Sequence, residues 1–400
     1  MKILYCHNYY RHRGGEDVSF QTDVEMLRSR GHAVFTFTRD NEDMQGNQLR
    51  MAANAIWNRS CGRELTQMIV DERPDIVHCN NLFPQISVSV YKAAHRHGVP
   101  VVQALRNYRP LCANSFLYRN KSLCTKCIGS AASWRSMIHG CYRESRLASA
   151  VVVAMQVSQS LAQTHKRYID AFFTPSEFAR SVYIQAGYDP DRIHVRTNFM
   201  LPDMGATADK SGPAMFVGRL SDEKGVDTVI DAWNKYQIQI PLQIIGEGPE
   251  SESLRIRAQG NRSIEFMGAV PNRDVLTALG RAQFLVMPSR WYETFGRTIA
   301  EAFSRGTPVV GSDLGAMAEL IKDGVNGYLF APSDPDHLGR QVRRFLSLSA
   351  SDRTAMSQAA RETYTQRFTA QTSYKQLLGI YESAKSHFAS RSLSQRKGKK

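Results

Sequence analysis

The stretch "QFLVMPSRWYETFGRTIAEAFSRGTPVVGSD", residues 283–313, decides the reading of the fold. A short apolar run, QFLVMPS, gives way to a polar loop. A helical pattern then begins near Thr294, Phe295 and Gly296, and Gly306 with Pro308 closes it before a second apolar run, PVVGSD. Strand, loop, helix and strand in that order make one unit of a parallel sheet covered by helices. Two glutamates, Glu293 and Glu301, bracket the helix start. Their spacing alone carries no weight, because two glutamates eight apart occur in most proteins. Their place after a strand does.

The same beat runs outward from this stretch. From residue 1, KILYCH, a helix over 17–30, AVFTFT, a helix near ELTQMIV, DIVHCN, a helix around SVYKAAHRH and VPVVQAL alternate as βα units. The beat pauses at MLPDMGATADKSGP, residues 200–213, whose small and polar residues read as a linker. It restarts with AMFVGRL, LQIIGEG, IEFMGAV, QFLVMPS, PVVGSD and GYLFAP, and from Asp334 to about Ser386 only helical patterns remain. The expected fold class is therefore α/β, with two Rossmann-like, doubly wound parallel-sheet domains facing a central cleft. The boundaries expected are 1–199 and 214–370 for the domains, 371–388 for a carboxy-terminal helix returning to the first domain, and 389–400 for a basic tail.

The bulk numbers agree. A chain of 400 residues suits two domains of about 190 residues each, and 42% hydrophobic with 22% charged residues is a globular composition. No apolar run approaches the roughly 18 residues of a spanning helix, and MKILYCHNY is too short and polar for a signal peptide, so a cytoplasmic setting is expected. The net charge of +14 suits nucleic acid, anionic lipid or anionic substrates. No nucleic-acid-binding signature is present. Arg391, Arg396, Lys397, Lys399 and Lys400 crowd the last ten residues, which suits either a peripheral contact with an acidic membrane or a merely solubilising tail.

Ligands of open parallel sheets sit at the carboxyl ends of the strands. After the first strand, RHRGGEDV offers Gly14 and Gly15 either as an anion or sugar cradle or as an ordinary turn with Asp17 capping the helix. In VGRLSDEKGVD, Gly218 is followed by Arg219 and Lys224, a fork and a point charge able to flank a diphosphate. IIGEGPE brings Gly246 and Gly248 to another strand-to-helix turn. The amides of Thr294, Phe295 and Gly296 open a helix whose positive end suits a phosphate, and a carboxylate on each side can accept from sugar and ribose hydroxyls.

Taken together, GGED, VGRLSDEKG, GEGPE, FMGAVPNRDV, MPSRWYETFGRTIAEAFSRGTPVVGSDLGAMAELI and DGVNGYLF resemble the retaining nucleotide-sugar glycosyltransferases of family 4, with the GT-B fold. The resemblance implies a hexose transferred from a nucleotide diphosphate sugar to a carbohydrate or lipid-linked acceptor hydroxyl, without a catalytic metal and usually by front-face attack. It matches Arg219 and Lys224 to the diphosphate pair, Glu301 to the ribose ligand and Glu293 to the residue holding the donor sugar. It matches Phe295 and Gly296 to amides that meet sugar and phosphate, and Gly15 to a loop closing on the donor. A sugar-nucleotide-binding subunit without turnover is the alternative, because ALRNYRP puts Arg106 where relatives carry a histidine beside the donor sugar. VHCNNLFP likewise has Asn80 where many have a second histidine after His78, itself either near the sugar or a buried structural side chain.

Cys112, Cys124, Cys127 and Cys141 fall within 30 residues, Cys124 and Cys127 as a C-x-x-C. A structural zinc, ordinary reduced thiols and a disulfide all fit that pattern. Asp189-Pro190-Asp191 and Asp334-Pro335-Asp336 formally match a manganese motif, but read as helix starts with proline in the first turn.

Overall fold

The computed structural model describes residues 1–11, 14–43 and 48–397. In chain order the strands are β1 (Lys2–Tyr9), β2 (Ala33–Asp40), β3 (Ile76–Cys79), β4 (Val101–Ala104), β5 (Tyr118–Arg119), β6 (Ser122–Leu123), β7 (Ala171–Thr174) and β8 (Ile193–Val195), followed by β9 (Ala214–Val217), β10 (Leu242–Ile245), β11 (Ile264–Gly268), β12 (Phe284–Met287), β13 (Val309–Ser312) and β14 (Gly327–Phe330). They form two six-stranded sheets, ordered β2-β1-β3-β4-β7-β8 and β11-β10-β9-β12-β13-β14, both parallel throughout. Strands β5 and β6 pair only with each other.

Why these runs become strands is visible in their burial. Every residue of β3, β4, β7, β12 and β13 is buried, as expected of parallel strands covered on both faces, and so they read as unbroken apolar runs. The edge strand β11 instead alternates between exposed and half-buried residues. Covering helices start where the chemistry permits. Ser176 accepts from Ala179 N–H (3.1 Å), and Asp334 accepts from His337 N–H (2.8 Å) with Pro335 in the first turn. Asp189–Asp191 differs from expectation. It is a turn before β8, in which Asp189 Oδ1 accepts from Asp191 N–H, because only Arg192 separates it from the strand.

The chain divides into two compact units, one of Met1–Phe116, Thr125–Arg196 and Ser373–Lys400, the other of Leu117–Cys124 and Thr197–Thr372. The expected linker over 200–213 is bound into the second unit. Gly212 N–H donates to Arg281 O (2.9 Å), and the Lys210 ammonium donates to Gly280 O, Arg305 O and Thr307 Oγ1, each at 2.8 Å. The last helix runs Ala370–Lys397, well past the expected tail start at 389, while Lys399 and Lys400 lie outside the described residues.

Strand order reverses between β1 and β3 in the first sheet and between β9 and β12 in the second. At such switch points the loops leaving neighbouring strands diverge to opposite faces and open a crevice. The loops after β9 and β12 are those that carry Arg219, Lys224 and Glu293.

Candidate active site

Two glycines let the loops of the second unit approach. A Cβ on Gly246 (φ +134) would lie 1.9 Å from Gly218 O, and one on Gly248 would lie 2.2 Å from Leu220 O. The β9–β10 ladder thus continues past the strands through Gly218 N–H to Ile245 O (3.0 Å) and Leu220 N–H to Glu247 O (3.0 Å). Gly246 therefore has a packing reason for being glycine, apart from any ligand.

The next loop is pinned to the one after β12. A Cβ on Gly225 (φ +66) would meet Pro288 O at 2.3 Å. Arg290 N–H donates to Glu223 O (2.8 Å), and its guanidinium reaches Thr228 Oγ1 (2.7 Å) and Asp227 (2.8 Å). Asp222 also accepts from the Tyr118 hydroxyl on β5 (2.8 Å). This clamp brings Lys224 Nζ to 2.5 Å from Glu293 Oε1, which accepts further from Ser289 Oγ (2.9 Å) and Trp291 Nε1 (3.0 Å). Glu293 is 7% exposed, and its Oε2 makes no hydrogen bond among the described residues. Arg219 stands exposed, without an ion pair among the described residues.

Past Gly296 (φ +83) the helix Arg297–Ser304 begins. The Phe295 side chain faces inward and packs edge-on against Phe368 (5.5 Å), so at this position only the backbone is left to face outward. Glu301, 5% exposed, accepts at Oε1 from Arg297 Nε (3.0 Å) and Asn272 Nδ2 (3.4 Å). Ser289, Arg290, Trp291, Asn272 and Arg297 are site residues that sequence reasoning missed. All five lay inside motifs already singled out, Asn272 in FMGAVPNRDV and the other four in MPSRWYETFGRTIAEAF, but none was given a role of its own.

In the first unit Gly14, not Asp17, is the N-cap, and its backbone is extended. The helix Gly15–Ser29 starts at the second glycine, and Asp17 is its third residue, its carboxylate folding back to accept from Gly14 N–H (2.8 Å) and Tyr10 N–H (3.2 Å) and joining His7 Nε2 (2.9 Å). Asn80, at the end of β3, bridges His7 Nδ1 (3.2 Å) and Arg106 Nε (3.1 Å). Arg106 also reaches Asp23 Oδ2 (3.1 Å), which Arg196 (2.5 and 2.7 Å) and the Tyr5 hydroxyl (2.8 Å) hold as well. Burial alone would raise the Asp23 carboxyl, but the charge and hydrogen bonds of Arg196, then Arg106, bring it down to about 2. His78 lies within β3 rather than at its end, stacked on Tyr5 (4.0 Å) and joined at Nδ1 to the Tyr381 hydroxyl (2.8 Å). Burial, with Arg196 and Arg106, holds its ring well below the usual histidine range despite Asp23, so it is a neutral core residue. Glu16, Asn80, Gln103, Arg106 and Asn107 border a small cavity of about 90 Å³ at these strand ends.

Among the described residues no three His, Cys, Asp or Glu side chains are grouped to hold an ion, all seven thiols are free of disulfides, and Cys112 Sγ donates to Asn114 Oδ1 (3.0 Å). The zinc expectation thus finds no ready ligand set here.

Comparison with known proteins follows the same division. Residues 205–363 match the family model described as glycosyl transferases group 1, and residues 14–198 match the glycosyl transferase 4-like domain. A 42.6 kDa protein "in cps region" of Klebsiella pneumoniae is 27% identical over 349 residues, covering 78% of this chain and 85% of that one. The glycogen synthase of Mycobacterium tuberculosis is 36% identical over 185 residues, 44% of each chain. Among solved structures, Anabaena HepE in complex with UDP and glucose superposes with a TM-score of 0.69 at 18% identity, over 96% of this chain and 100% of that one.

Proposed function

The chain belongs to the GT-B glycosyltransferases that join a family 4-like domain to a group 1 domain, and from that premise we propose a retaining, metal-independent hexosyl transfer from a nucleotide diphosphate sugar to an acceptor hydroxyl. The observation that carries this reading is the Lys224–Glu293 pair at the switch point of the second sheet, with Arg219 exposed on the same loop as Lys224. An ammonium has three donors, so Lys224 can keep Glu293 and still meet a phosphate oxygen. Arg219 supplies the second cation for the charge that grows as the bond from sugar C1 to phosphate oxygen breaks. Glu293 Oε2 accepts from a hydroxyl of the donor sugar, and Glu301 Oε2 from a ribose hydroxyl. The acceptor oxygen bonds to C1 on the face the phosphate leaves, and its proton passes to the departing phosphate oxygen. Glu293, with three donors on one oxygen, is a poor nucleophile and is not asked to be one.

UDP-sugars are the first donors to test, since Anabaena HepE is solved with UDP and glucose. A thermal-shift panel of UDP-, GDP- and ADP-sugars should raise the melting point with one base class. Surface polysaccharide or glycolipid assembly is the setting we propose. Arg106, committed to Asp23, favours a second reading, a donor-binding subunit without turnover. Release of nucleoside diphosphate on adding a sugar acceptor separates the two, because the subunit would give a thermal shift and no release.

A further inference from the structure

Helices Arg59–Glu72 and Ser89–Arg96 of the first unit pack closely at Gly62, where an added Cβ would lie 3.3 Å from Ser89 Cβ. Arg59 and Arg63, and likewise Lys92 and Arg96, are four residues apart, so each pair shares one helix face. Together they line a groove of about 640 Å³. Trp57 stands on its rim, 40% exposed, with Lys92 Nζ 5.5 Å from its ring centroid. A second hollow adjoins it, lined by Arg50, Arg59 and Arg63 among others. Arg50, Arg59, Arg63, Lys92 and Arg96 make no ion pair among the described residues, while neighbouring Glu64 is taken by Arg39 and Ser60.

These five cations repel one another; the nearby Glu64 feels the charge of Arg63 but is already paired with Arg39. An exposed indole beside them adds an apolar body with a polar tip, the combination that settles at the headgroup level of a bilayer. We propose that this face docks on an anionic lipid surface, the cations meeting lipid phosphates and Trp57 entering the interface. Nucleic acid fits less well, because the patch offers one aromatic ring rather than a row for stacking bases. The contact is thereby assigned to these helices and not to the carboxy-terminal lysines.

The test is cosedimentation of the full chain with vesicles of phosphatidylcholine alone or mixed with phosphatidylglycerol. Binding is expected only to the mixed vesicles, weakening at high salt. Arg63→Gln with Arg96→Gln should lower the partition about 25-fold, about fivefold for each cation, with the melting point and the donor thermal shift unchanged. Replacing Lys397, Lys399 and Lys400 by Gln should leave binding intact. Wild-type binding by the Arg63→Gln, Arg96→Gln variant, or loss of binding in the lysine variant, would overturn the assignment. So would displacement of the bound protein by inorganic phosphate or by an oligonucleotide, which would point to free phosphate or nucleic acid instead.

Discussion

Lys224 Nζ lies 2.5 Å from Glu293 Oε1, so the cation proposed for the diphosphate and the carboxylate proposed for the sugar form one unit before any ligand arrives. Neither group is fully exposed, at 19% and 9% of side-chain surface. Lys224→Ala should lower kcat/KM for the donor by about 100-fold or more, the scale of removing one stabilising group from a transition state. Ser289 and Trp291 still satisfy Glu293, so the melting point should move little. Nucleoside diphosphate release and thermal melting, run side by side, check both halves.

Glycines divide into two groups by what a Cβ would meet. Gly225→Ala forces a methyl to 2.3 Å from Pro288 O at φ +66 and should cost about 1–3 kcal/mol with loss of the donor thermal shift. A Cβ added at Gly14 meets nothing within 4 Å among the described residues, and the backbone is extended (φ −138). Gly14→Ala should keep the melting point, so any loss of donor affinity in that variant reports backbone approach to the ligand.

Acid sensitivity should originate largely in the first unit. Asp23, at about 2 when folded against an ordinary 3.8, stabilises the fold fully above pH 4, and that contribution is lost as pH falls through 2. His78 acts earlier. Its folded value is lowered, so below its ordinary 6.5 the unfolded chain takes up a proton that the folded chain refuses, and stability declines with falling pH. Melting curves should show His78→Phe flattening the decline just below pH 6.5, and Asp23→Asn flattening the one between pH 4 and 2. The second variant should also melt lower at neutral pH by about 3–5 kcal/mol, because Arg196 is left buried without its carboxylate.

Tyr381 lies on the helix Ala370–Lys397, yet its hydroxyl serves His78 on β3. Nε2 of that ring already lacks a hydrogen-bond partner among the described residues. Tyr381→Phe orphans Nδ1 too and should cost about 1–3 kcal/mol, read as a lower denaturation midpoint with unchanged donor binding.

Much of this architecture was legible because doubly covered parallel strands must be apolar on both faces, and β3, β4, β7, β12 and β13 are written as such runs. The loops that follow β9 and β12 could be read from glycines, cations and carboxylates standing just beyond those runs. What stayed hidden depends on distant partners. Residues 200–213 look like a linker until Lys210 finds carbonyls at positions 280 and 305. Arg290 looks like any surface cation until it clamps Asp227 and Thr228. Four cysteines close in sequence offer a ligand pattern, yet among the described residues no three His, Cys, Asp or Glu side chains are grouped to hold an ion. Arg106 read as a departure near the sugar, whereas its charge belongs to a buried network around Asp23.

Phe295 joins two properties that could have been separate. Its ring is 3% exposed in the core of the second unit, while its neighbours Glu293 and Gly296 shape the proposed donor loop. Such a loop has no softer melting mode of its own. Heat inactivation and loss of compactness in this unit should therefore be a single cooperative event, and stiffening the core around Phe368 should lengthen the working life of the enzyme without altering a residue that meets substrate.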